Sequence, residues 1–329
     1  MKRRQLLAAL GGAVVSWPLA AQGQPLRKPR RIAFVHSGFK ADALIETGGV
    51  FWIRRFYEEL RRLGYAEGRN LVVERYSAEG RSDRYAALVA EVVSHKPDVI
   101  VSNQNSLVKT FLAATSTIPI VGITTDPVAS GLTSSLARPG ANVTGVSVEA
   151  GPEIIAKRLQ IIKEAIPSAA KITYLFAGHR PDGVDAVARR LGVVVTESFL
   201  PQVDETQLRR SFAEMAAQRT DAILLDGSGS FLAFRVLLVE LAAKGRIPAI
   251  YPYRDYVEQG GLMAFAPDLG ELAERMASDV QQILNGAKPG EIPFYLPSKF
   301  ELIVNLKTAK ISGLVLPPTF LAQANQVIE

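Results

Sequence analysis

Two apolar runs, Asp98-Val99-Ile100-Val101-Ser102 and Ile118-Pro119-Ile120-Val121-Gly122-Ile123, flank a segment at residues 107–114 that suits a helix. A β-branched run, a helix and a second β-branched run make a strand–helix–strand unit, which implies parallel strands joined by a right-handed crossover. The same theme extends in both directions. Upstream, Arg31-Ile32-Ala33-Phe34-Val35-His36 reads as a strand. Trp52, Phe56, Leu60 and Leu63 then recur at helical spacing before Gly64, and Leu71-Val72-Val73 makes a further strand. Tyr85, Leu88, Val89 and Val92 form the next helical stripe. Downstream, after the turn-rich Ala137-Arg138-Pro139-Gly140-Ala141-Asn142, the alternation starts again. Helices are expected at 153–165, 183–191, 205–218 and 231–244, and strands at 172–176, 193–196, 222–225 and 247–251.

Two such series predict an α/β fold of two doubly wound parallel-sheet lobes. The chain of 329 residues is long enough for two cores at ~100–200 residues per domain. The tail differs: residues 260–265 read as a strand, Leu269, Leu272, Met276, Val280 and Ile283 as a helical stripe, and residues 300–306 as a strand. It is too short for a third core. It must return to lobes already built, which creates a hinge of several strands. The expected division is an N-terminal lobe at 30–145, a C-terminal lobe at 146–262 and a returning tail at 263–329.

Residues 1–23 carry Lys2, Arg3 and Arg4, an uncharged stretch from Leu6 to Val15, and a small-residue end at Ala21-Gln22-Gly23. That is the pattern of a cleavable export signal, with cleavage expected after Gly23. Pro18 and the Gly and Gln residues after the apolar stretch argue against a membrane anchor, and Arg3-Arg4 also permits twin-arginine export. Without the first three basic residues, the chain has 35 Lys and Arg against 32 Asp and Glu. This near balance argues against a nucleic-acid partner. With no Cys and three scattered His, neither metal nor cofactor is expected.

Ligands of parallel α/β sheets bind outside the carboxyl ends of the strands. Here those ends are small and polar: Ser37-Gly38, Asn103-Gln104-Asn105-Ser106, Thr124-Thr125-Asp126, Gly178-His179, Asp226-Gly227-Ser228-Gly229-Ser230 and Tyr251-Pro252-Tyr253-Arg254. Each also suits capping or a turn, but as a set they predict a crevice for a small polar or aromatic ligand. Asp126, before Pro127, is expected to support its loop and to face that crevice. Gly227-Ser228-Gly229 lacks the third glycine of a dinucleotide fingerprint, and neither a Walker phosphate loop nor a nucleophile elbow is present. Asp221 and Asp226 bracket one strand and cannot pair at one end of it. His36 reads as a hydrogen-bonded core or rim histidine rather than a base.

The chain resembles the ABC-transporter substrate-binding family of periplasmic type I binding proteins, in the group that includes tryptophan- and tyrosine-binding members. The resemblance is carried by Leu63-Gly64-Tyr65-Ala66-Glu67-Gly68-Arg69-Asn70, Asp126-Pro127-Val128, Arg138-Pro139-Gly140-Ala141-Asn142-Val143-Thr144-Gly145, Tyr256-Val257-Glu258-Gln259-Gly260-Gly261-Leu262-Met263, the stretch from Phe300 to Lys310, and Leu316-Pro317-Pro318. It covers essentially residues 31–329. It implies a non-enzymatic, monomeric periplasmic protein that captures a small solute between two lobes and delivers it to a permease with its ATPase. It also implies ligand contacts at Ser37, Asn103, Gln104, Asp126, Ser228 and Tyr253. The strand-end reading adds Gly38, Asn105, Thr124, Gly178 and Gly229. Two departures stand out. Ala177-Gly178-His179 replaces an Asn-Pro turn, and Gly227-Ser228-Gly229 replaces an acidic residue that in amino-acid binders meets the ligand amine. They leave aromatic or other organic acids open beside amino acids. The competing readings are a sensory component feeding a membrane receptor and a secreted α/β hydrolase.

Overall fold

Along β1 (Arg30–His36) the side chains of Ile32, Ala33, Phe34 and Val35 are all buried. A strand apolar on both faces belongs inside a parallel sheet covered by helices on each side, and the computed structural model places β1 there. It describes residues 28–48, 50–148, 153–178, 180 and 182–329. The export signal expected at residues 1–23, and His179, lie outside the described residues. Ile32 and Phe34 pack with α1 (Phe51–Arg62) on one face, while Ala33 and Val35 face the other. After α1 come β2 (Leu71–Ser77), α2 (Tyr85–Ser94), β3 (Val99–Asn103), α3 (Asn105–Ala114), β4 (Ile120–Thr124) and β5 (Val143–Ser147). Their sheet has the order β2-β1-β3-β4-β5, parallel throughout.

The second lobe begins with α4 (Glu153–Ala165), β6 (Lys171–Phe176), α5 (Val184–Leu191), β7 (Val194–Phe199), α6 (Glu205–Ala217) and β8 (Ala222–Leu225). It continues with α7 (Gly229–Leu232), α8 (Arg235–Gly245), β9 (Ala249–Tyr251), α9 (Arg254–Glu258) and β10 (Met263–Pro267). Its sheet includes the parallel order β10-β9-β8-β6-β7. Beyond β10 the sheet is extended by β11 (Phe300–Asn305), which runs antiparallel to β10, and by β12 (Gln326–Ile328). Two short helices, α11 (Leu306–Ile311) and α12 (Pro318–Leu321), connect these last strands. The helix expected at 231–244 is two helices, α7 and α8, separated at Ala233-Phe234. The expected lobe boundary at 145–146 falls inside β5, all of which pairs with β4.

One tail element joins the first lobe. The helix α10 (Leu269–Leu284) is capped by the carboxylate of Asp268, which accepts hydrogen bonds from the amides of Gly270 and Glu271. Its buried stripe, including Leu272, Met276, Val280 and Ile283, packs beside α1 over the first sheet. Among the described residues the chain passes between the lobes at Pro267–Leu269 and between Tyr295 and β11, while Val148 belongs to the first lobe and Glu153 to the second. The two passages are tied together. The carboxylate of Glu271 accepts from the Tyr295 hydroxyl at 2.6 Å and from the Ser298 hydroxyl at 2.6 Å, and the Asp268 amide donates to the Lys299 carbonyl at 3.0 Å.

Candidate ligand-binding site

The residues after β3 and β4 face those after β6, β8 and β9 across a cleft of about 610 Å³. Asn103, Gln104, Asn105, Thr124 and Asp126 line it from the first lobe; Gly178, Ser228, Gly229 and Tyr253 line it from the second. Asn103 and Asn105 act as two pins around the turn into α3. The buried Asn103 accepts the Ser37 amide at 2.7 Å and donates to the Ser37 hydroxyl at 2.9 Å. Asn105 accepts the Thr125 amide at 2.9 Å and donates to the Thr125 carbonyl at 2.6 Å. Between them Gln104 has φ 68°, rare for a residue with a side chain. Such a conformation costs about 1–3 kcal/mol and persists when its surroundings over-determine it. Here the Gln104 amide donates to the Ile123 carbonyl, and its side-chain oxygen accepts the Tyr85 hydroxyl at 2.9 Å.

Asp126 also has a positive φ, 37°, at the end of β4. Its Oδ1 accepts the Ala129 amide at 3.0 Å, and its carbonyl accepts the Ser130 amide, so the residue holds the following loop while lining the cleft. The Thr124 hydroxyl donates to the Val146 carbonyl and fixes β5 against β4. Across the cleft, Asp226 accepts the amides of Ala177 at 3.0 Å and Ser228 at 2.9 Å, which joins the ends of β6 and β8. The Tyr253 hydroxyl donates to the Gly227 carbonyl at 2.6 Å.

Ser37 and Gly38 do not line this cleft; they sit on the seam where the lobes touch. A Cβ built on Gly38 would stand 3.3 Å from the Gly229 carbonyl oxygen. One built on Gly229 would stand 3.1 Å from both the Asn103 amide nitrogen and the Ser37 hydroxyl. The charged Lys109 and Asp182 also stand on the cleft wall, outside the polar strand-end clusters. Lys109 lies one helical turn beyond Asn105, a spacing that could have marked it. Asp226, a strand-end residue in the sequence, brings a carboxylate to the position next to Ser228.

Beside the cleft lies a smaller chamber of about 60 Å³ that shares Asn103, Ile123, Val148, Gly229 and Tyr253 with it. Its remaining wall is mostly apolar: Trp52 from α1, Leu232 from α7, and Leu269, Leu272, Ala273 and Met276 from α10. His36 and Asp255 complete it. His36 is buried and stacks on Phe39 with ring centres 4.5 Å apart. Its Nδ1 accepts the amides of Gly38 at 3.0 Å and Phe39 at 2.8 Å, and burial pushes its pKa down to about 3. Burial pushes the Asp255 carboxyl up, and nearby Glu258 adds to that while Arg235 and Arg254 oppose it. Among the described residues, no group of three or more His, Cys, Asp or Glu is placed to hold a metal ion. Nor is any helix long and apolar enough to cross a membrane.

Comparison with known proteins gives the geometry a context. Residues 43–328 match the family described as ABC transporter substrate binding protein. A tyrosine-binding protein of Clostridioides difficile (strain R20291) is 24% identical over 262 residues, covering 78% of this chain and 74% of that protein. The fold is similar to that of a conserved domain protein from Vibrio cholerae, at TM-score 0.80 and 24% identity, covering 91% of this chain and all of the other. It is equally similar to the ABC domain of a Streptococcus pneumonia protein solved in complex with L-Trp, at TM-score 0.79 and 23% identity, covering 92% of this chain and all of the other.

Proposed function

The chain belongs to the ABC transporter substrate binding protein family, whose members bind solutes and do not transform them, and we propose that it is the extracytoplasmic solute receptor of an uptake transporter. In this reading it captures a small organic molecule with a polar head and an apolar end, of the aromatic or amino-acid-like class. One observation carries the proposal: a charged cleft and an apolar chamber share one wall between two lobes. Lys109 and Asp126 on one side and Asp182 and Asp226 on the other offer partners for both an acidic and an amino group. Asp226 stands where the sequence lacks the expected acid near Ser228, so an amine-bearing ligand regains support. The relatives that bind tyrosine and L-Trp are in keeping with this class.

The proposal further holds that residues 1–23 direct export to the periplasm and are removed. The mature monomer passes its solute to a membrane permease coupled to an ATPase, and the two lobes, divided after β5 rather than at 145–146, close with the tail at 263–329 completing them. A thermal-shift screen of amino acids, aromatic acids and nucleosides tests the central claim. A true ligand at ~100 times its Kd adds about 2.7 kcal/mol of apparent stability. Absence of a shift across all three classes argues against the reading. A radius of gyration that shrinks at ligand saturation supports lobe closure.

A further inference from the structure

We propose that the chamber beside the cleft is a specificity subsite for a hydroxyl group at the apolar end of the ligand, with His36 donating a hydrogen bond to the hydroxyl oxygen and Asp255 accepting its proton. The inference deepens the solute-binding reading and rests on it.

The surroundings of His36 fix its tautomer. Nδ1 accepts two backbone amides, from Gly38 and Phe39, and cannot also carry a proton. The ring is neutral through the physiological range because burial opposes its charged form. Its one proton therefore sits on Nε2, where it is a donor only. No acceptor meets that N–H among the described residues, although the ring lines the chamber. The N–H is not among the fully enclosed unpartnered atoms, so it opens to the chamber and is free to meet an acceptor that arrives with the ligand.

Asp255 supplies the complementary half. It lines the same chamber, and apart from its own backbone N–H no donor meets its carboxylate among the described residues. Two other polar side chains of the wall are already engaged. Asn103 exchanges two hydrogen bonds with Ser37, and the Tyr253 hydroxyl donates to Gly227. The compartment thus presents two donors, the His36 Nε2–H and the Trp52 indole N–H, beside one acceptor, Asp255. A hydroxyl meets a donor and the acceptor at once; a carboxylate would oppose Asp255, and an ammonium would leave both donors without an acceptor.

Size narrows the group further. An engineered cavity that admits benzene measures about 150 Å³; this chamber has about 60 Å³. It takes the hydroxyl-bearing edge of a ring or a short alcohol, while the rest of the ligand lies in the cleft.

The test measures binding by calorimetry for paired probes that differ by that one hydroxyl: L-tyrosine and L-phenylalanine, tyramine and phenethylamine, 4-hydroxybenzoate and benzoate. The wild-type protein is expected to bind the hydroxylated member of at least one pair about tenfold or more tightly than its partner. His36→Asn keeps an oxygen near Nδ1 for the two amides and removes the Nε2 donor; it is expected to shrink the preference to about threefold or less, weakening the hydroxylated probe more than its partner. Asp255→Leu is expected to do the same from the other side, which keeps the test open if one variant folds poorly. Equal binding within every pair, or an undiminished preference in both variants, overturns the inference and leaves the solute-binding reading standing. If no probe of any pair binds while another compound of the thermal-shift screen does, the hydroxyl subsite is wrong and the receptor reading survives. If nothing in either set binds, both fall.

Discussion

The cleft and the chamber share a wall but handle polarity in opposite ways. The cleft is rich in Asn, Thr, Ser and Asp, yet most of these side chains are tied to their neighbours: Asn103 to Ser37, Asn105 to Thr125, Thr124 to Val146, Asp126 to Ala129, Asp226 to Ala177 and Ser228. The chamber holds few polar groups, but His36 Nε2 and the Asp255 carboxylate remain open to an incoming partner. A polar lining is therefore not the same as a recognising one. Much of the cleft's polarity builds a rigid rim, and selectivity falls to groups whose hydrogen-bonding capacity is still unused.

That contrast implies that an unused buried polar group is costly wherever no ligand can relieve it, and Asp279 is the place to break it. Its side chain on α10 is fully buried. It has Arg275 Nε at 3.0 Å but no hydrogen bond of good geometry among the described residues, and burial pushes its pKa up to about 7. The folded protein thus keeps a proton that the unfolded chain releases. Stability from this group is full below the free carboxyl value of 3.8, falls as pH rises towards 7, and is flat above. The span amounts to about 4 kcal/mol. Asp279→Asn is expected to be more stable than wild type in urea at pH 8 and no more stable at pH 4.5. Parallel pH profiles for the two proteins would end this account.

Next in size is the rim itself. Asn103→Ala orphans the buried Ser37 amide and is expected to lower unfolding stability by about 2–3 kcal/mol without ligand. A variant that melts like wild type but loses ligand would instead make Asn103 a contact residue. Gly229→Val inserts bulk where a Cβ already stands 3.1 Å from the opposite lobe. It is expected to cost about 1–3 kcal/mol of ligand affinity while the unliganded melting temperature holds, read by calorimetry and thermal melts together. The smallest effect is expected from Asp126→Asn. The amide oxygen still accepts from Ala129, so stability and affinity should each change by about 1 kcal/mol or less. A larger loss of affinity alone would move Asp126 from the rim to the recognising set.

The sheet alternation was legible from residues such as Ile100, Val101, Ile120 and Val121, because strands buried on both faces leave unbroken apolar runs. β2 is longer than its apolar core suggested. Glu74, Arg75 and Tyr76 continue it because it is an edge strand with partly exposed faces. β5 went unread because Val143-Thr144-Gly145-Val146-Ser147 follows a Pro-Gly turn and contains a glycine, a pattern indistinguishable from loop until β4 is beside it. The cleft was readable because strand ends converge by topology. The chamber was not: Trp52, Leu272 and Met276 look like ordinary core stripes of amphipathic helices. Only the packing of α10 beside α1 shows that one edge of that core is left open to the other lobe.

The position of α10 has a consequence for how the molecule is made. The helix that completes the first lobe is encoded after nearly all of the second. Until residue 284 has left the ribosome, the α1 face bearing Trp52, Ile53 and Phe56 has no α10 to cover it. Neither lobe is a self-sufficient stretch of gene, so cutting the chain at the lobe junction yields two incomplete cores rather than two modules. Completion of both cores then waits for the last quarter of the polypeptide. Such a chain stays unfinished until synthesis is almost done.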